Sequence, residues 1–189
     1  MAKKEELKQH CWTKSFHSFG TGYIFERRSK KLHNKLIMLK FLGIVVPVII
    51  GALVTSYGVN WKYINFVIAI AGIVSIFQLI TSVWALVANW DSEYAYSKES
   101  ASMNYYLSQQ YKMFAETPPK TNQEFEHKIA LLDSEESSRA NIDIQHHITE
   151  KEKKFGMRAA LRNFQRECSG CEQVPTSMKP SNCEICGNF

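Results

Sequence analysis

Two apolar stretches decide the fold of this chain: FLGIVVPVIIGALVTSYGVNW at residues 41–61 and YINFVIAIAGIVSIFQLITSVWALVANW at residues 63–90. Neither contains a charged side chain, although 22% of the 189 residues are charged and the formal net charge is +5. About 20 apolar residues suffice to cross a hydrocarbon core, so each stretch is long enough to span a membrane. These stretches exclude a simple soluble monomer. The rest of the chain is short, rich in charged residues and poor in aliphatic ones, which argues against a substrate-binding enzyme domain.

Positive charge is concentrated on the amino-terminal side of the first stretch. Lys62 alone lies between the stretches and Lys98 alone follows the second closely, so the positive-inside rule predicts a cytoplasmic amino terminus. Two spans return the carboxyl terminus to the same side, and Gly58 and Asn60 predict a tight turn between them. We interpret the basic residues before the first span as a flank that sets topology and as a membrane-surface patch. They are Arg27, Arg28, Lys30, Lys31, Lys35 and Lys40.

Small and polar residues form one narrow seam along the second stretch. They recur at intervals of 4, 3, 4, 3 and 4, which places them on one face of a helix. They are Ala71, Ser75, Gln78, Ser82, Ala85 and Asn89. Polar side chains find no partners among acyl chains, so the seam must face the first span, another copy of the protein or water. We treat it as a candidate pore or oligomer face, and ordinary packing within the hairpin is the alternative.

The residues after the second stretch are predicted to be helical. Residues 92–115 contain neither Pro nor Gly, and a Thr-Pro-Pro sequence at 117–119 ends that helix. Thr121 and Glu124 form a capping-box pattern that opens a second helical stretch. We expect residues 133–141 to interrupt it, because they are too polar to pack well.

The sequence therefore predicts an all-α membrane protein with long cytoplasmic helices. Gly20 and Gly22 are expected to interrupt the amino-terminal arm. Residues 92–167 carry eleven basic and twelve acidic residues, a balance that is typical of self-associating or interdomain helices. A nucleic-acid-binding surface needs an excess of positive charge, so we do not expect direct binding to nucleic acid. The predicted segments are a basic arm at 1–40, a transmembrane hairpin at 41–90 with spans at 41–59 and 63–90, a cytoplasmic helical region at 91–167 and a four-cysteine tail at 168–189.

The tail carries the most specific motif in the chain. Cys168, Cys171, Cys183 and Cys186 follow the spacing C-x2-C, eleven residues, C-x2-C. Two such pairs can supply four thiolates in a tetrahedron around zinc, and the short loop also suits a rubredoxin-like iron site. A disulfide framework would need an oxidising compartment. The first apolar stretch is too long for a signal peptide and lacks a cleavage site, so we expect it to remain as an anchor.

Other candidate sites are weak. Cys11 lies beside Trp12 and is expected to be an interfacial or buried thiol. The sequence contains no glycine-rich phosphate loop, no Ser/His/Asp set and no paired carboxylates within the apolar stretches. It therefore gives no positive sign of catalysis, and we expect the protein not to be an enzyme.

A basic arm, a tight two-span hairpin and a long helical extension together resemble the SLATT family of two-transmembrane effectors. The cysteine spacing resembles that of the mobile-element proteins described as CxxCx(11)CxxC. The SLATT resemblance implies a dormant protein of the bacterial inner membrane that oligomerises and opens a pore, or disrupts the membrane, when a partner senses infection. It also implies a sensor such as a cyclic-oligonucleotide synthase or a reverse transcriptase. The alternative function is a constitutive anchor or scaffold that tethers a zinc-stabilised adaptor to the membrane.

Overall fold

The structure is a computed structural model that describes residues 2–58 and 61–189, and within these residues it contains five α-helices and no β-strand. The helices are α1 (Ala2–Tyr57), α2 (Ile64–Val87), α3 (Trp90–Glu116), α4 (Asn122–Ile144) and α5 (Glu150–Asn163). They form two compact units. We call residues 28–96 the hairpin unit, and residues 2–27 with 97–189 the helical unit. The prediction of an all-helical chain is confirmed for the described residues.

Helix α1 runs unbroken through Gly20 and Gly22, so the predicted interruption is wrong. A Cβ on Gly20 would lie 3.2 Å from the carbonyl oxygen of Gly156 in α5, and a Cβ on Gly156 would lie 2.7 Å from that of Gly20. A Cβ on Gly22 would lie 3.1 Å from the ring of Tyr105 in α3. The glycines therefore permit close approach of neighbouring helices, which offsets their low helix propensity.

One face of α1 packs against α3 and α4 in the core of the helical unit. Helices α1 and α3 also meet at two buried serines. Ser15 Oγ donates to the carbonyl oxygen of Ser108, and Ser108 Oγ donates to that of Ser15, both at 2.8 Å. These reciprocal bonds satisfy both hydroxyls without water. The buried apolar side chains of this core are Cys11, Leu107, Tyr111, Ala115, Phe125, Ile129 and Leu132.

Helix α4 continues through residues 133–141, and the predicted interruption there is also wrong. A buried polar network lies at its carboxyl-terminal end. Asp143 is 3% exposed and accepts hydrogen bonds from Ser100 Oγ at 2.7 Å and Asn104 Nδ2 at 2.8 Å. Arg139 Nε donates to the same carboxylate at 3.1 Å. The hydrogen-bonding needs of Asp143 in α4 are thus met by side chains on α3. The spacing of apolar residues along the sequence does not reveal such partners.

The boundaries of α4 and α5 are set by side-chain caps. Thr121 accepts a hydrogen bond from the backbone N–H of Glu124 at 3.3 Å, which confirms the predicted cap of α4. The chain leaves α4 after Ile144, and α5 begins behind a complete capping box of Thr149 and Glu152. That pattern, a Thr followed three residues later by a Glu, was the sequence signal for the true break.

Two helices, α1 and α2, are long and apolar enough to cross a membrane, and their apolar parts lie in the hairpin unit. Within the chain, 0% of the most apolar stretch of α1 and 6% of that of α2 is buried. The core helix of a soluble protein would be mostly buried. Gly58 adopts a φ of 73°, as a turn glycine does, and Asn60 lies outside the described residues. Asn89, with a φ of 50°, separates α2 from α3.

Candidate metal centre

The four tail cysteines come together as the spacing predicts. Their sulfur atoms all lie within 4.8 Å of one another. Cys168 Sγ is 3.9 Å from Cys183 Sγ, and Cys171 Sγ is 3.9 Å from Cys186 Sγ. Four sulfurs bonded at about 2.3 Å to one tetrahedral ion would be about 3.8 Å apart. The sulfur cluster therefore fits a single metal ion.

Each C-x2-C pair forms a tight turn with the same backbone bond. The N–H of Glu172 donates to the carbonyl oxygen of Cys168 at 2.8 Å, and the N–H of Gly187 donates to that of Cys183 at 2.9 Å. Such turns aim backbone N–H groups at sulfur, as Gly170 N–H does at Cys168 Sγ, 3.5 Å away. The backbone N–H groups of Cys186 and Ile185 lower the pKa of Cys183 to about 7. The second turn thus favours the thiolate of Cys183, which is the form that binds metal, whereas burial raises the pKa of the Cys186 thiol.

The tail is fixed to α1 and α5 by an apolar contact on one side of the cluster. Cys168 and Cys186 are 1% exposed, whereas Cys171 and Cys183 are half-buried. The two buried cysteines pack with Phe16 of α1 and with two residues of α5, Ala160 and Leu161. Because all four tetrahedral positions would be filled by sulfur, none is left for water or substrate, so the arrangement suits a structural metal.

Arg158 of α5 also belongs to this centre, and sequence reasoning missed it. Its guanidinium donates to the carbonyl oxygen of Cys186 at 3.2 Å. The available signal was local: Arg158 is a single cation within the otherwise uncharged sequence FGMRAAL at residues 155–161. A charge on the apolar face of a helix needs a buried partner, and the tail provides it.

Cys11 lies apart from the tail cysteines. It is fully buried in the core of the helical unit with Leu107 and Tyr111. Burial, and then the charge of Asp133, raise the pKa of the thiol to about 12. The prediction of a buried thiol is confirmed, and its position gives Cys11 a packing role.

The structure separates the residues of the predicted polar seam. Gln78 lies against α1, because a Cβ on Gly43 would come within 2.8 Å of Gln78 Nε2. One part of the seam is covered within the hairpin unit and another part is open. The covered members are Ala71, Gln78, Ser82 and Ala85, and the exposed members are Ser75 and Asn89.

The predicted basic patch is divided between the two units. The guanidinium of Arg27 lies over the ring of Phe155 at 3.9 Å in the helical unit. The other five residues belong to the hairpin unit. There the ammonium of Lys35 lies 4.9 Å from the ring of Trp90. A role for the patch at the membrane surface stays a prediction.

Comparison with known proteins identifies the family. A model of the family described as Mobilome CxxCx(11)CxxC protein matches residues 8–189. Searches of curated proteins and of solved structures gave no match. The matched region includes both apolar stretches, all of the tail and the four clustered cysteines, so this chain belongs to the Mobilome CxxCx(11)CxxC protein family.

Proposed function

We propose that this protein is a non-enzymatic membrane effector of a bacterial anti-phage defence system, which oligomerises and forms a pore in the inner membrane, or disrupts that membrane, when a sensor partner is triggered. The observation that carries the proposal is the hairpin unit, whose large apolar side chains lie outside. Ile73, Phe77 and Leu86 are 70%, 66% and 74% exposed.

The energetics of this surface favour a membrane. Apolar surface removed from water contributes about 25 cal/mol per Å², and a contiguous apolar surface of this kind marks a membrane or protein contact. Both helices have the length that a bilayer requires. The basic flank before the first span supports an orientation with both termini in the cytoplasm.

The ion we propose for the tail is structural zinc. Four thiolates in a closed tetrahedron are typical of zinc sites, and a reducing cytoplasm keeps the cysteines free of disulfides. The same ligands would hold iron. Elemental analysis of the purified protein distinguishes the two metals, and an absence of both would contradict the assignment.

Two arguments support the effector role. Membership of a mobilome family is consistent with a role in conflicts that involve mobile elements. The resemblance of the architecture to SLATT effectors supports a sensor partner such as a cyclic-oligonucleotide synthase or a reverse transcriptase.

The exposed part of the seam supports oligomerisation. Ser75 is polar and exposed on α2, and Asn89 is polar and exposed just beyond the end of that helix. In lipid, such side chains gain hydrogen bonds by facing another copy of the chain or a water-filled path.

A constitutive membrane anchor or scaffold is the second candidate function. It is favoured by Gln78, which lies against Gly43 within a single hairpin. If the polar residues of the seam pack against α1 within one hairpin, no polar face remains to line a pore.

Stepwise induction of the full chain in bacteria, with a membrane-potential dye as the readout, separates these functions. The effector should depolarise the inner membrane above a threshold level, whereas an anchor should leave the potential intact at every level. Ile76→Arg provides the negative control, because a charge at the centre of α2 costs about 2.5–3.5 kcal/mol on insertion. That variant should be absent from the membrane fraction and should not depolarise the membrane. Ile76→Leu should behave as the native chain.

A further inference from the structure

We infer that Arg158 is the positioning residue that locks the metal centre to α5 and tunes the metal affinity of its thiolates. This inference rests on the tail holding a metal ion, and it does not depend on the effector function. Arg158 is 9% exposed. It lies in α5, on the face that packs against the tail.

The guanidinium holds two separate parts of the tail. Nε donates to the carbonyl oxygen of Ser177 at 2.8 Å, and Nη1 donates to Ser181 Oγ at 3.2 Å. Both serines belong to the eleven-residue loop between the cysteine pairs. Nη1 also donates to the carbonyl oxygen of Cys186 at 3.2 Å, in the second pair itself. The planar fork of arginine makes such divergent contacts, and the single ammonium of lysine does not.

The same group touches a metal-ligand sulfur. Nη1 lies 3.8 Å from Cys186 Sγ. A divalent ion with four thiolates carries a net charge of about −2, and one side of this cluster is packed against Phe16 and Leu161. Buried charge is costly unless it is paired and hydrogen-bonded. Arg158 supplies a positive charge and an N–H donor on that buried side.

Outer-shell donors of this kind alter metal affinity by about 10- to 100-fold. We therefore expect Arg158→Met, in the full chain in detergent, to release zinc at 10- to 100-fold lower concentrations of a competing chromophoric chelator than the native chain. In the Co²⁺-loaded protein, the thiolate-to-metal charge-transfer band should shift, because the N–H donor to Cys186 Sγ is lost. Arg162→Met is the matched control: it removes the same charge from an exposed position one turn along α5 and should change neither readout.

Arg158→Lys keeps the charge and the helix, and covers the case in which Arg158→Met does not accumulate. It should release zinc more readily than the native chain and less readily than Arg158→Met. The inference is overturned if Arg158→Lys and any Arg158→Met obtained retain zinc as tightly as the native chain, or if their charge-transfer bands do not move. A native chain that binds no metal would overturn the metal centre itself, which is a distinguishable result.

Discussion

The hairpin unit and the helical unit are both made of helices, but they differ in where their large apolar side chains lie. In the hairpin unit the large aliphatic side chains are outside, whereas in the helical unit Leu107 and Tyr111 are fully buried. The helical unit instead relies on a small apolar core, buried polar networks and four cysteines. We propose that the hairpin unit obtains its stability from a lipid solvent, whereas the helical unit depends on a few individual contacts.

Removal of the metal should show the largest difference between the units. Cys168→Ser deletes a buried ligand, and structural zinc contributes about 10–16 kcal/mol to folding in zinc-finger peptides. We expect the variant to lose its metal and its tail to become sensitive to protease, while the hairpin still inserts. Metal content, limited proteolysis and membrane fractionation measure the three effects.

Cys11→Ser is the control for this change, because it removes a thiol of equal burial that lies outside the metal cluster. Its metal content should stay near one ion per chain. Native protease resistance in Cys168→Ser would show that the helical unit does not need the metal.

The second test removes a buried charge from the helical unit. Asp143→Ala takes away the acceptor shared by Ser100, Asn104 and Arg139. Breaking a buried ion pair costs about 3 kcal/mol. Here Arg139 loses a buried partner and keeps the exposed carboxylate of Glu99. Thermal unfolding followed by circular dichroism in detergent should give a clearly lower midpoint.

Glu150→Ala breaks an exposed ion pair with Lys153 and should leave that midpoint unchanged. Equal midpoints for the two variants would mean that the Asp143 network does not stabilise the unit.

A glycine-to-alanine change should act differently in the two units. In Gly156→Ala the new Cβ would lie 2.7 Å from a backbone oxygen in α1, so the helices must separate. Overpacking of this kind costs about 1–3 kcal/mol. Gly72 has no atom within 4 Å of an added Cβ, so Gly72→Ala should be neutral or slightly stabilising. Thermal unfolding of both variants tests this, and equal loss in both would refute the close packing of α1 and α5.

The features that sequence alone predicted depend on local composition and spacing. A stretch of about twenty uncharged, mostly apolar residues is typical of a membrane-length helix. The two such helices are therefore predicted directly from the stretches within residues 41–90. The spacing of the four cysteines likewise determines their cluster, because each pair closes its own turn. The cap at Thr121 is also a short-range signal.

The features that sequence did not predict depend on distant partners. Gly20 is a helix breaker in isolation, and only Gly156, far along the chain, explains its place within α1. Residues 133–141 are too polar for an apolar face, and their helix ends in a carboxylate that α3 satisfies. The role of Arg158 depends on where the tail loop passes. None of these partners can be identified from periodicity.

The smallest expected effect on stability is in the polar seam, where the hairpin unit departs from its apolar pattern. Gln78 lies against Gly43 of α1, so Gln78→Leu should alter only a local contact within the hairpin, with an effect of about 0.6 kcal/mol or less, and change dye uptake little. Ser75 is exposed. If it contacts other copies or water in an assembled state, Ser75→Leu should leave insertion unchanged and reduce depolarisation.

Ile73→Leu is the matched control for both, because Ile73 is exposed on the same helix and the change is conservative. The three variants are compared by dye uptake at matched expression in the membrane fraction. A loss confined to Ser75→Leu would place the assembly face on the open side of the seam. A loss confined to Gln78→Leu would mean that the hairpin rearranges on assembly, since Gln78 must then leave Gly43. Equal uptake in all three would remove the pore face from the seam, because a polar side chain that lines an assembly cannot be replaced by leucine without effect, and the anchor function would then be the better explanation.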